Sequence, residues 1–469
     1  MTNEIDAQRQ ATGSRTLLTV LCLAQFMLIL DVTVVAVAIP SMQSALHVAP
    51  SDIQWVTTAY GITFGGFLVS SGRMADLFGP KRILLWGLLV FTVASAICGA
   101  AQEPVTLFVA RGLQGVGAAM VSPAALALLT TNFAEGDARN KALGIWGAVA
   151  SIGGIAGNLV GGVLTDLATW RLIFLVNIPI GLVVLLLIMR KVPADVPRAR
   201  QRLDLPGAVL LTAAVVSVVT AVSQAAVRGF DPVVGVFAVA GVVLLVAFVL
   251  VELKTAEPVL KLSMFRNPNV RYGNITSVVA AGASAGALFF CTLYVQQIIG
   301  LTPLQTGLGF IPVLGAIVVI STKAGALVGK FGVRKLIVAA ALIVAAGLLL
   351  LSFVPVDGSF FVDVLPGLML VGIGSGLSLA PAMIVSTTGV ANEDQGLASG
   401  LLSTAQQVGS ALGVAALNTV AVAVALGAHG TAQEAATRGY QVGFLTAILA
   451  PVIMILCVLV IPKPQPATS

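Results

Sequence analysis

The sequence predicts an all-α polytopic membrane protein, and three observations carry that prediction. Of its 469 residues, 58% are hydrophobic and only 9% are charged, with a mean hydropathy of +1.03. No soluble domain of this length hides that much apolar surface. The apolar runs are also continuous over about 20 residues, the length of a helix that crosses a bilayer. A barrel would instead show short strands of alternating hydropathy. Finally, if the N-terminus is cytosolic, 21 of the 25 Lys and Arg residues fall in inner segments, the asymmetry that sets orientation.

Fourteen apolar stretches follow one another, at about 17–40, 53–71, 83–101, 105–131, 142–165, 170–189, 205–226, 233–251, 272–299, 306–322, 336–354, 362–385, 399–427 and 440–461. The even count predicts that both termini are cytosolic. The first stretch, LLTVLCLAQFMLILDVTVVAVAIP, holds one ionisable residue, Asp31. A helix places it about 14 Å from Pro40. A carboxylate at that depth costs at least about 2.5 kcal/mol unless it is neutral, paired or wet. Asp31 is therefore a candidate proton carrier. The plainer alternative is a packing acid satisfied by backbone or an Arg.

The second stretch runs into GRMADLFGPKR (72–82). Gly72 and Gly79 permit positive φ and close helix approach. Asp76 lies near helix ends, where it can accept backbone N–H groups or pair with Arg73 or Arg82. With Lys81 and Arg82 this cluster reads as a conformational latch, against the plainer reading of a positive-inside loop. The tenth stretch is followed by GALVGKFGVRK (325–335), in which Gly325 and Gly332 match Gly72 and Gly79. GVGAA (115–119) in the fourth stretch is paralleled by GIGSG (372–376) in the twelfth. Two six-helix halves are expected, with two helices inserted between them. The boundaries are a tail at 1–16, a bundle at 17–190, a linker with two extra spans at 191–271, a bundle at 272–462 and a tail at 463–469. Repeats of this kind rock about a central site.

The fourth stretch carries Arg111, the second ionisable group inside the membrane; a buried guanidinium also needs a partner or water. An opposite charge favours an ionised acid and burial a neutral one, so a switch that alters the Asp31–Arg111 separation alters proton affinity. A static salt bridge is the alternative. In the fifth stretch Gly153, Gly157 and Gly161 share one face, which suits close helix packing. Candidates for a mid-membrane substrate pocket are Gln25, Tyr60, Asn158, Tyr294, Gln297, Gln406 and Asn418, each also readable as a packing residue. The segment RKVPADVPRARQRLD (190–204) reads as a solvated linker, or as a contact for anionic lipid headgroups.

Several classes are excluded. The net charge of +6 is spread over short loops, which argues against nucleic-acid binding. Cys22, Cys98, Cys291 and Cys457 lie in apolar runs without metal-site spacing. His47 and His429 fall near outer loops, and no phosphate-binding loop or catalytic triad is present. No enzyme activity, metal or cofactor is expected. Residues Met1–Ser14 are polar and do not read as a signal peptide.

On these motifs the sequence resembles the major facilitator superfamily, and within it the fourteen-span drug/proton antiporters of the EmrB/QacA type. LDVTVVAVAIP (30–40) resembles that branch's first-span motif, and GRMADLFGPKR the superfamily loop motif. RGLQGVGAA (111–119), WRLIFLVNIPIG (170–181) and GLASGLLSTAQQVGSALGVA (396–415) are similar to its fourth-, sixth- and thirteenth-span segments. Leu77 stands where a basic residue usually follows the Asp, and Asn158 stands where the fifth-span motif has Pro. The resemblance implies a major facilitator fold and a role for Arg111 in moving protons to and from Asp31. It also implies that the span-5 glycine face controls leak. The expected activity is proton-coupled export of apolar or amphiphilic drugs or antibiotics across the cytoplasmic membrane. The expected partners are such substrates, protons and membrane lipids, around a functional monomer. Without an acid in span 10, neutral or singly charged substrates are favoured. The alternatives are a dedicated exporter of one endogenous metabolite or self-made antibiotic, a proton-coupled importer, and a non-transporting membrane sensor.

Overall fold

Backbone groups in a bilayer must find their partners within the chain, and long helices satisfy them. The computed structural model describes residues 2–48, 52–53, 55–167, 169–192, 195, 204–228, 231–255, 258–428 and 430–460. The side chains of residues 2–14 and of some positions within helices, Asn158 among them, lie outside that description. In order, the helices are α1 (Thr2–Leu46), α2 (Trp55–Phe78), α3 (Pro80–Ala100), α4 (Pro104–Asn132), α5 (Asp137–Leu167), α6 (Leu172–Leu175), α7 (Asn177–Lys191) and α8 (Leu205–Arg228). They continue with α9 (Pro232–Glu252), α10 (Pro268–Gln297), α11 (Pro303–Phe331), α12 (Val333–Leu351), α13 (Leu365–Thr387), α14 (Gln395–Gly427), α15 (Ala432–Ala447) and α16 (Leu449–Val460). Among the described residues there is no strand.

Among the described residues, eleven helical segments are long and apolar enough to cross a membrane, and 206–221 forms a shorter apolar helix. The helices α2 and α5 fall outside that set, so among the described residues length and hydropathy mark eleven of the fourteen expected spans.

Two breaks share one cause. Pro179 has no N–H for the carbonyl of Leu175, where α6 ends, and Pro451 has none for Ala447, where α15 ends.

The chain divides into two units, Met1–Leu260 with Asn392–Thr404, and Lys261–Ala391 with Ala405–Ser469. The first unit includes α8 and α9. Val216 of α8 lies against Gly66 of α2, and Thr212 hydrogen-bonds Ser70 at 3.2 Å. A core of Val34, Val56, Cys98, Leu107, Ile173 and Phe174 fills this unit. The second unit is cored by Phe290, Tyr294, Leu348, Phe360, Tyr440 and Phe444. The sequence repeat has a packing counterpart in each unit. A Cβ on Gly117 of α4 would lie 2.6 Å from the Phe91 nitrogen of α3. A Cβ on Gly374 of α13 would lie 2.8 Å from the Ala340 carbonyl of α12.

The segment 72–82 is not a loop. No helix breaker occurs before Gly79, so α2 continues to Phe78, well past the end of its apolar run. A single residue makes the turn: Gly79, at φ 94°, and Pro80 then opens α3. Gly332, at φ 79°, makes the matching turn between α11 and α12. The first N–H groups of α3 have no acceptor within the helix. Asp195 supplies it, accepting from the Lys81 and Arg82 nitrogens at 3.0 Å each. In return Lys81 Nζ donates to the Val192 carbonyl at 2.6 Å, just beyond the end of α7. At this position the expected solvated linker is instead a helix cap.

Asp195→Ala should lower stability by about 1 kcal/mol, the usual worth of an N-terminal cap, with Asp195→Asn falling in between. Thermal unfolding of the detergent-purified protein measures both.

Candidate functional site

Asp31 points into the first unit and has no exposed surface. Its Oδ2 accepts from Arg111 Nη1 at 2.7 Å. Its Oδ1 accepts from Gln114 Nε2 and from Asn177 Nδ2, both at 2.7 Å. Arg111 and Gln114 lie three residues apart on α4 and so share a face. Arg111 Nη1 also donates to Gln114 Oε1 at 2.6 Å, and Gln114 Nε2 to Ser95 Oγ of α3 at 2.8 Å. Asn177 opens α7 at the break that Pro179 imposes.

The guanidinium has a second set of contacts. Its Nε donates to the Val56 carbonyl of α2 at 2.8 Å. Its carbon lies 4.4 Å from the centroid of the Tyr60 ring and 5.7 Å from that of Phe174. Each ion loses several kcal/mol of hydration on burial, and attraction offsets this only when the remaining donors and acceptors are satisfied. Here the carboxylate has three donors and the cation two further acceptors and a π-face.

The small face of α5 backs the same stretch of α1. A Cβ on Gly153 would lie 3.0 Å from Ile29 Cβ, one on Gly157 2.9 Å from the Leu30 carbonyl, and one on Gly161 3.0 Å from the Val34 carbonyl. Close approach there fixes the height of Asp31 against α4.

The predicted latch residues gather at one end of this unit. Asp76 accepts from the backbone nitrogens of Gly396 and Leu397 at 2.8 and 2.7 Å, at the start of α14. Of the partners open to it in the sequence, it takes backbone N–H groups. Arg73 lies 3.9 Å from Asp394. Gly72 sits inside α2, where a Cβ would lie 3.2 Å from the Gly400 Cα.

The pocket candidates do not gather. Tyr60 stands over Arg111. Gln25 is buried on α1, and its Oε1 has no donor. Asn158 lies outside the described side chains. In the second unit the Tyr294 hydroxyl donates to the Pro355 carbonyl, and Gln297 accepts from Tyr440 at 2.8 Å. Gln406 and Asn418 are half-buried on α14.

Sequence reasoning missed Gln114, Asn177 and Ser95. Gln114 and Asn177 stand inside RGLQGVGAA and WRLIFLVNIPIG, so the motifs marked their places but not their shared partner. Ser95 carries no signal in the sequence.

Comparison with known proteins agrees with the fold. Residues 21–414 and 325–469 match the family model described as Major Facilitator Superfamily. The cephamycin export protein CmcT of Amycolatopsis lactamdurans is 39% identical, covering 95% of this chain and 93% of its own. The puromycin resistance protein pur8 of Streptomyces alboniger is 42% identical, covering 92% and 87%. The multidrug resistance protein Stp of Mycobacterium tuberculosis is 36% identical, covering 86% and 74%. Among solved structures, the human organic anion transporter MFSD10 shares the fold at a TM-score of 0.67 and 15% identity, over 93% of this chain and 99% of that one. Its helical architecture, its family match along nearly the whole length and these relatives together place the chain as a membrane transporter belonging to the Major Facilitator Superfamily.

Proposed function

We propose that this transporter exports apolar or amphiphilic drugs or antibiotics across the cytoplasmic membrane in exchange for protons, by alternating access, with Asp31 and Arg111 as the coupling pair. The observation that carries this reading is the closed Asp31–Arg111 pair with its 2.7 Å contact. The names of the relatives, which include an antibiotic exporter and drug resistance proteins, support the export direction.

The surroundings of the pair suit a reversible proton load. In the paired state both oxygens of Asp31 accept hydrogen bonds, three in all. A proton on Asp31 removes the charge that attracts Arg111. The cation keeps the Val56 carbonyl, Gln114 Oε1 and the Tyr60 ring, so it is not left bare. The protonated acid needs an acceptor, and Asn177 Oδ1 is buried without a donor. Rotating that amide presents Oδ1 in place of Nδ2. Inward-facing protein then releases the proton to the cytosol and takes up substrate; outward-facing protein regains a proton and releases substrate. The grip of Asp76 on the start of α14 acts as the latch of one conformational state.

We extend the proposal to fourteen spans of the EmrB/QacA type, two six-helix bundles with α8 and α9 inserted, cytosolic termini, and a functional monomer in contact with membrane lipids. The α11 sequence holds no acid, which favours neutral or singly charged substrates. A dedicated exporter of one self-made antibiotic is the second reading. It is favoured by the 39% identity to a cephamycin export protein over nearly the full chain. A narrow resistance profile in a pump-deficient host distinguishes it from a multidrug pump.

Vesicles with an imposed pH gradient test the coupling with ethidium as substrate. Asp31→Asn should abolish gradient-driven export, and undiminished export by that variant would refute the assignment. Tyr60→Phe keeps the π-face and should transport near the wild-type rate. Tyr60→Leu removes it and should lower stability by about 1–2 kcal/mol, read by thermal unfolding.

A further inference from the structure

The pair α8 and α9 carries two carboxylates that the Asp31 network does not use, one buried and one half-buried. Glu252 is the last residue of α9 and only 4% exposed. Its Oε1 accepts from the Val259 and Leu260 nitrogens at 3.1 and 3.3 Å, turning the chain back after the helix. Its Oε2 is buried without a donor. Asp204 stands just before α8, where its Oδ1 accepts from the Gly207 nitrogen at 3.0 Å. Its Oδ2 is also buried without a donor. The two groups converge on one point: a Cβ on Gly207 would overlap Asp204 Oδ2 and lie 2.9 Å from Glu252 Oε1. Among the described residues, the charged groups acting on Glu252 are Asp204, from the start of α8, and Arg73, from α2.

An unsatisfied buried acceptor costs about 1–3 kcal/mol, and two like charges this close disfavour joint ionisation. One proton taken up by the pair lowers its charge by one and relieves the cost of joint ionisation. A metal ion fits poorly. Among the described residues only two carboxylates are at hand, and each already gives one oxygen to backbone N–H groups. No group of three metal-ligating side chains occurs among the described residues.

We infer that Glu252 and Asp204 form a second proton-binding site, carried by α8 and α9 and separate from Asp31, in which the neighbouring pair takes up one proton. The inference rests on this geometry alone and holds whether or not Asp31 exchanges protons. The site also reaches the latch. With the proton absent, two negative charges draw on Arg73. With it bound, that pull weakens; Arg73 also lies 3.9 Å from Asp394, which immediately precedes α14. Because Asp76 lies one helical turn beyond Arg73 on α2, the load on this site bears on its hold at Gly396 and Leu397.

Infrared titration of the full chain in lipid vesicles tests the inference through the carbonyl band of protonated carboxyl groups. Wild type should show a band that appears and disappears reversibly as pH is changed. Glu252→Gln should abolish it, whereas Asp31→Asn should leave it in place. Gln keeps the Oε1 acceptor for Val259 and Leu260, so the fold should persist. Asp204→Asn removes the neighbouring negative charge and should move the midpoint to lower pH by about one unit. Should Glu252→Gln fail to fold, the Asp204→Asn midpoint decides. A band absent from wild type, unchanged by Glu252→Gln, or unmoved by Asp204→Asn would overturn the site.

Discussion

A carboxylate and a guanidinium held 2.7 Å apart, with almost no exposed surface, constrain everything packed around them. Neither tolerates burial alone, because each leaves behind several kcal/mol of hydration. The helices of the first unit meet that demand piece by piece. α2 gives a carbonyl and an aromatic face, α3 a hydroxyl, α4 the cation with its glutamine, and α7 an asparagine freed by a proline break. The glycine face of α5 lets α1 sit close enough for Asp31 to reach them. Polar groups in an apolar interior thus specify one arrangement of five surrounding helices.

A second theme is the satisfaction of helix ends by side chains, most of them distant in sequence. Asp76 caps the start of α14, Asp195 the start of α3 and Asp204 the start of α8, while Lys81 closes the end of α7. In every case an acid meets an N-terminus or a cation a C-terminus, the sense that the helix dipole favours. Motif residues that look like a charged loop are therefore fasteners between helices.

Much of this was legible in the sequence because hydropathy and charge act locally. Continuous apolar runs give the helices, and a lone Asp31 or Arg111 in such a run announces its own cost. The matched Gly79 and Gly332 announce the turns. The partners were not legible, because they lie far along the chain. Nothing in the spacing pairs Asp31 with Asn177, or Lys81 with Asp195. Helix ends were misread for a related reason. Hydropathy stops near Ser71, whereas backbone hydrogen bonding continues to the first residue that breaks it, Gly79.

The central claim is that Asp31 yields and regains a proton as its pairing with Arg111 changes. The most direct measurement is proton release on substrate binding, followed with a pH indicator in weakly buffered detergent solution as ethidium is added. The account predicts that ethidium displaces protons from wild type and none from Asp31→Asn, although the variant still binds the dye. Equal release from the two proteins would contradict it.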